Sequence, residues 1–176
     1  ARRAALRAGI DIALYTPGAV EGRPVGISLL PPGTEHLSTT DREDEVAWAT
    51  EAVAGMLGYK DVGGGRVRHC RAILQQALLL LAELPGGAGR GLEGLIQLLG
   101  EHDPELVGRV GKLDAKLFTR IAQDLDAHRL STARLFDPAS ERLHIDDLLA
   151  RQPGGRPRLS IVRTKVLGDN ARVAFW

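Results

Sequence analysis

Arg66-Val-Arg-His-Cys-Arg-Ala-Ile-Leu-Gln-Gln-Ala-Leu-Leu-Leu-Leu-Ala-Glu-Leu84 is the stretch whose reading decides the fold. Val67, Cys70, Ile73, Leu74, Ala77, Leu78, Leu80, Leu81 and Leu84 fall on nearly every side of a helical wheel. A helix that is apolar all round is a buried one. Ala, Leu, Gln and Arg favour the helix, and only Val67 and Ile73 are β-branched. Gly63, Gly64 and Gly65 precede it; Pro85, Gly86 and Gly87 stop it. It is too short and too polar, at Arg71, Gln75, Gln76 and Glu83, to span a bilayer that needs ~20 apolar residues. The expectation is the central helix of a helical domain, with further helices to cover it.

Those helices are sought on either side. Upstream, Thr40-Asp-Arg-Glu43 has the spacing of a capping box. Asp41, Glu43, Asp44 and Glu45 crowd a first turn, where the helix dipole favours acids. Val46, Ala49, Val53 and Met56 or Leu57 make an apolar stripe, closed by Gly58. Downstream, Gly86 to Gly91 reads as a link. Leu92, Leu95, Ile96, Leu98 and Leu99 form a short helix stopped at Gly100, and His102-Asp-Pro104 reads as a turn. Leu113, Leu117, Ile121 and Leu125 recur every four residues, with Phe118 and Ala122 beside them and Lys116, Arg120 and Asp124 towards the other side. That pattern predicts an amphipathic helix. Leu135 to Pro138 is a break, and His144 to Ala150 reads as one more short helical element.

Strand-like segments lie near the two ends. Ile10-Asp-Ile-Ala-Leu-Tyr15 alternates weakly and ends in the turn Thr16-Pro-Gly18. Pro24 to Leu30 is a second extended piece, although neither Pro24 nor Gly26 suits a central strand. Arg158-Leu-Ser-Ile-Val-Arg163 is the best strand, and Gly168-Asp169 leads towards a final helix. The fold class expected is mainly α with a few short strands: a helical subdomain, 40–150, inserted between an early strand region, 1–32, and a return strand and helix, 155–176. Ile12 and Leu14 are expected beside Leu159 and Ile161, because an isolated strand cannot satisfy its own backbone. Ala1 to Ala8 reads as a helix already under way and Ala171 to Trp176 as the middle of one, so a piece of a longer protein is expected.

Composition narrows the function classes. The chain has 176 residues, 44% hydrophobic and 26% charged, an ordinary globular balance. Its 23 Lys and Arg against 22 Asp and Glu leave a net charge of +1, so no global field advertises nucleic acid or a membrane. Cys70 is alone and no basic start precedes an apolar run, which makes the cytoplasm the expected compartment and no membrane the expected setting. Aromatic residues are 4%, too few for a stacking platform for single strands.

Sites are sparse. A phosphate-binding loop needs Gly-Lys followed by Ser or Thr. Here Gly111-Lys112 runs into Leu113, and the glycine that should open the loop is Leu106. There is no Gly-x-Ser-x-Gly elbow. His36, His69, His102, His128 and His144 are scattered, without zinc spacing. His144 with Asp146 and Asp147 reads as a solvated helix start rather than a cation site, which leaves a metal-dependent hydrolase almost unsupported. Catalytic, nucleotide and metal residues are therefore expected to be none. Arg66, Arg68, His69 and Arg71 form the only dense basic cluster, at the end of a helix whose dipole disfavours cations. Arg163 and Lys165 follow the last strand, where α/β sheets place ligands. Arg66, Arg68, Arg71, Arg163 and Lys165 are the nucleic-acid candidates.

Several strings in order resemble one family. Ile12-Ala-Leu-Tyr-Thr-Pro-Gly18 and Gly22-Arg-Pro-Val25 resemble the segment after the early sheet strands of bacterial ATPases of the HerA/FtsK class. Leu113-Asp-Ala-Lys-Leu-Phe118, Leu143-His-Ile-Asp-Asp-Leu-Leu149 and Gly155-Arg-Pro-Arg-Leu-Ser-Ile-Val162 resemble their later helical region and return strand; Leu167-Gly-Asp169 into Phe175-Trp176 resembles the helix that follows. The resemblance implies a parent P-loop ATPase that uses ATP and Mg²⁺ to move or unwind DNA as a hexameric ring. Its phosphate loop would lie before Ala1 and its acidic strand after Trp176, so the chain alone is expected to be inactive and to need no cofactor. The alternative expectation is a non-enzymatic helical interaction module that binds a partner or a second copy.

Overall fold

A computed structural model describes residues 9–19, 21–26, 28–59, 64–85, 91–132, 135–136, 141–142, 148 and 155–164. The chain divides into two compact units, one drawn from Ala1–Ile27 and Ala133–Asp169, the other containing Ser28–Thr132.

The helical unit contains a 3-10 turn, Thr34–His36, and five helices: α1, Thr39–Met56; α2, Gly65–Glu83; α3, Leu92–Gly100; α4, Pro104–Val110; and α5, Ala115–Ser131. The mainly helical expectation holds. Helix α2 packs against α1, α3, α4, α5 and the 3-10 turn, so it is central in fact. Ile73, Leu74, Ala77 and Leu78 are fully buried on it. Its apolar surround is confined to the second half, where every residue from Ala77 to Ala82 is buried except half-buried Leu79. At its ends the expectation fails: Val67 is half-buried and Leu84 exposed.

The start of α1 also differs from its predicted box. Ser38, not Thr40, is the N-cap, and its hydroxyl accepts from the Asp41 amide at 3.2 Å. Ser38-x-x-Asp41 has the same cap spacing and starts the helix earlier. The earlier start places Arg42 to donate to the carbonyls of Thr34, Glu35 and Leu37 at 3.3, 3.2 and 3.0 Å. Gly58, with φ 73°, follows the helix as expected of a left-handed stop.

Helix α3 has the predicted span. The predicted turn is present at His102, whose φ is 54°, and it leads directly into α4, which begins at Pro104. Asp103 caps it, its Oδ1 accepting from the Glu105 and Leu106 amides at 2.9 and 3.2 Å, and Pro104 fits a first turn where no N–H is needed. Helix α5 buries Leu117, Phe118, Ile121, Ala122 and Leu125, the predicted stripe; Leu113 precedes it and Asp114 caps it.

The other unit holds the strands β1, Asp11–Tyr15; β2, Val25–Gly26; β3, Glu141–Arg142; and β4, Arg158–Val162. β1 and β4 pair in parallel: Asp11 with Arg158, Ile12 with Leu159, Ala13 with Ser160, Leu14 with Ile161, Tyr15 with Val162. The expected neighbourhood of Ile12, Leu14, Leu159 and Ile161 is thus found, although almost the whole described chain separates the strands. Asp11 N donates to Pro157 O at 3.0 Å and Arg163 N to Tyr15 O at 2.9 Å, closing both ends of the ladder. One face carries an Arg158–Asp11 ion pair at 2.8 Å and buried Tyr15. The other presents Ile12 and Leu159, 50% and 49% exposed, with Leu14 and Ile161, 42% and 43%.

The extended piece predicted over 24–30 is strand only at Val25–Gly26, which pair in parallel with Glu141–Arg142. The helical element predicted over 144–150 lies outside the described residues except at Leu148, whose carbonyl accepts from Ser160 Oγ at 2.7 Å. The final helix predicted after Gly168 also lies outside them. Among the described residues no helix is long and apolar enough to cross a membrane.

Candidate nucleic-acid interface

The basic cluster occupies the first turns of α2. Gly64 caps this helix, so the cap residue offers no side chain to the opening amides. Arg66, Arg68 and His69 are exposed there, and neither arginine forms an ion pair with another described residue. Helix-end amides and guanidinium groups together suit an anion, which would also relieve the unfavourable placement of cations at the positive end of the dipole.

Arg71 behaves differently. It is half-buried, pairs with the Glu51 carboxylate of α1 and donates to Tyr59 O at 3.3 Å. It braces the α1–α2 link, and its charge is already answered. Arg68 and Arg71 line a cleft of about 240 Å³ between the two helices, with Thr50, Glu51 and Gln75. The three arginines proposed as one cluster therefore divide into two that face solvent and one that is structural.

In the strand unit, Arg163 is exposed at the carboxyl end of β4, beside Tyr15 at the end of β1. Arg23 lies 5.0 Å from the Tyr15 ring centre and donates to its hydroxyl at 3.3 Å. The loop between them is tightly built. Buried Thr16 donates to Glu21 O at 2.6 Å. Gly22 has φ 87°, and a Cβ there would lie 2.8 Å from Thr16 Cγ2. Lys165 lies outside the described residues.

Sequence reasoning missed one polar group. Tyr59 donates to Asp124 Oδ2 at 2.7 Å across 65 residues, and Arg120 donates to the same oxygen at 3.0 Å. Burial first, then the Asp124 hydrogen bond and charge, push the Tyr59 hydroxyl far above its ordinary range. Burial also raises the Cys70 thiol, against the lowering influence of Arg66. Both groups keep their protons at neutral pH, so neither is an activated nucleophile; the Tyr59–Asp124 bond ties the segment after α1 to α5. Residues 65 apart carry no periodic signal that could have announced the contact.

Comparison with protein families, with curated proteins and with solved structures finds no match for this chain. The sequence has no phosphate loop, and among the described residues no three of His, Cys, Asp or Glu converge as a metal site.

Proposed function

We propose that this chain is an internal section of an ATP-driven DNA translocase or helicase of the HerA/FtsK class. It would contribute two strands of the parent's sheet and the helical unit inserted between them. The observation that supports this reading is the residue-for-residue parallel pairing of β1 with β4 across that unit. Parallel strands occur almost only in α/β proteins whose sheets are covered on both faces. The apolar face of Ile12, Leu14, Leu159 and Ile161 is the kind of surface such a layer would cover. Sequence resemblance, not this pairing, supplies the class.

On this reading ATP and Mg²⁺ bind the parent outside this chain, and the parent acts as a hexameric ring. Arg66, Arg68 and Arg163 meet DNA phosphates, where charge gives affinity without reading sequence. Arg71 holds α1 to α2. The gene sequence on either side is the test. The reading requires Gly-Lys-Ser/Thr before Ala1 and an apolar strand ending in Asp-Glu after Trp176; flanks lacking both would overturn it. A second reading, a non-enzymatic helical interaction module, draws support from the exposed indole of Trp48.

A further inference from the structure

Trp48 lies in the middle of α1 with 75% of its surface exposed. Tryptophan is amphipathic and large, and is over-represented where proteins bind partners. Its neighbours on the same face are acidic: Asp44 and Glu45 precede it by four and three residues, and Glu51 follows by three. Glu51 is taken by Arg71. Asp44 is exposed and Glu45 half-exposed, and neither forms an ion pair with another described residue. Arg42 is the only basic residue in α1, and its guanidinium is turned onto the carbonyls of the 34–37 segment. The solvent side of the first half of α1 is therefore an aromatic ring beside two carboxylates that have no ion-pair partner among the described residues. The helix dipole explains an acid in the first turn, Asp41, but not Asp44 and Glu45 beyond it or the exposed indole.

We propose that this face of α1 docks an arginine- or lysine-rich segment of a protein partner. A guanidinium stacks on Trp48, and Asp44 and Glu45 receive the neighbouring cations. Ring faces attract cations, and arginine adds planar stacking. DNA is disfavoured here by the same carboxylates. The surface is thus chemically opposite to the Arg66 and Arg68 end of α2, and the proposal stands whether or not the chain belongs to a translocase.

The test uses Trp48 as its own reporter. The sequence has two tryptophans, so Trp176→Phe leaves Trp48 as the single emitter. A nona-arginine peptide is titrated at low salt, with nona-glutamate and a duplex DNA as comparisons. The expected result is saturable quenching by nona-arginine alone. In the same background, with a dye on the peptide, Trp48→Ala and the pair Asp44→Asn/Glu45→Gln each weaken binding tenfold or more, with unchanged circular dichroism. Glu93→Gln, an acid of α3, leaves binding as it was. Equal affinity in Trp48→Ala would show general charge attraction and overturn the proposal. So would quenching by the duplex, or sedimentation showing that Trp48 instead holds a second copy of the chain.

Discussion

Tyr59→Phe removes one hydroxyl and leaves the ring. That hydroxyl donates to the Asp124 carboxylate at 2.7 Å. A hydrogen bond to a charged group contributes roughly 1.5–3 kcal/mol. Asp124 keeps its bond from Arg120, and Tyr59 is only half-buried, so the low end, about 1.5 kcal/mol, applies. For a chain of this length that is a fall in Tm of roughly 3–6 °C. The pH dependence has a definite sign. Burial, then Asp124, raise the Tyr59 pKa in the folded state; burial raises that of Cys70. The folded state therefore holds protons that the unfolded state begins to release above about pH 8.5 for cysteine and pH 10 for tyrosine. This stabilisation is complete below that range and is lost as pH rises towards the folded values. Thermal melts by circular dichroism from pH 7 to pH 10.5 should show an alkaline decline in the native chain and a shallower one in Tyr59→Phe. A variant with an unchanged Tm at pH 7 and the native alkaline slope would refute the role given to this contact.

Leu78→Asp should prevent the helical unit from folding, because an unpaired carboxylate at a fully buried site costs several kcal/mol against a total stability of about 5–15; a native circular dichroism melt would contradict the burial of α2. Gly22→Ala should loosen the loop after β1, since its φ is 87° and the new Cβ would strike Thr16; faster amide exchange at Thr16 is the readout, with a cost of about 1–3 kcal/mol. Arg66→Ala with Arg68→Ala should weaken duplex DNA binding and lower the slope of log K against log salt by about 2, while Arg71→Ala should chiefly lower the melting temperature.

The helices that carry several buried residues at a regular spacing were legible: α2 from its Leu and Ala run, α3 from Leu92, Leu95 and Leu99, and α5 from its four-residue repeat. Helix α4 was not, because it buries only Leu106 and gives no period to read; its signal was the cap, Asp103 before Pro104. Strand β3 has two residues and no apolar alternation. The pairing of β1 with β4 followed from the need of each strand for a partner, but their outward apolar face did not, because alternation cannot say which face is covered. Among the site candidates, Arg66 and Arg68 were legible as exposed cations at a helix start. The pairing of Arg71 with Glu51 was not legible, since that partner lies 20 residues away on another helix. The Gly22-Arg-Pro-Val25 string carries a physical constraint, the glycine against Thr16, that residue types alone did not reveal.

The measurement that bears most directly on the translocase reading is ATP hydrolysis by a polypeptide extending this chain through both flanks, compared with the chain alone. The expected result is steady phosphate release by the longer protein, stimulated by duplex DNA and abolished when the lysine of its phosphate loop is changed to alanine, with no turnover by the chain alone. A folded longer protein that releases no phosphate with or without DNA, or turnover by the isolated chain that survives further purification, would contradict it.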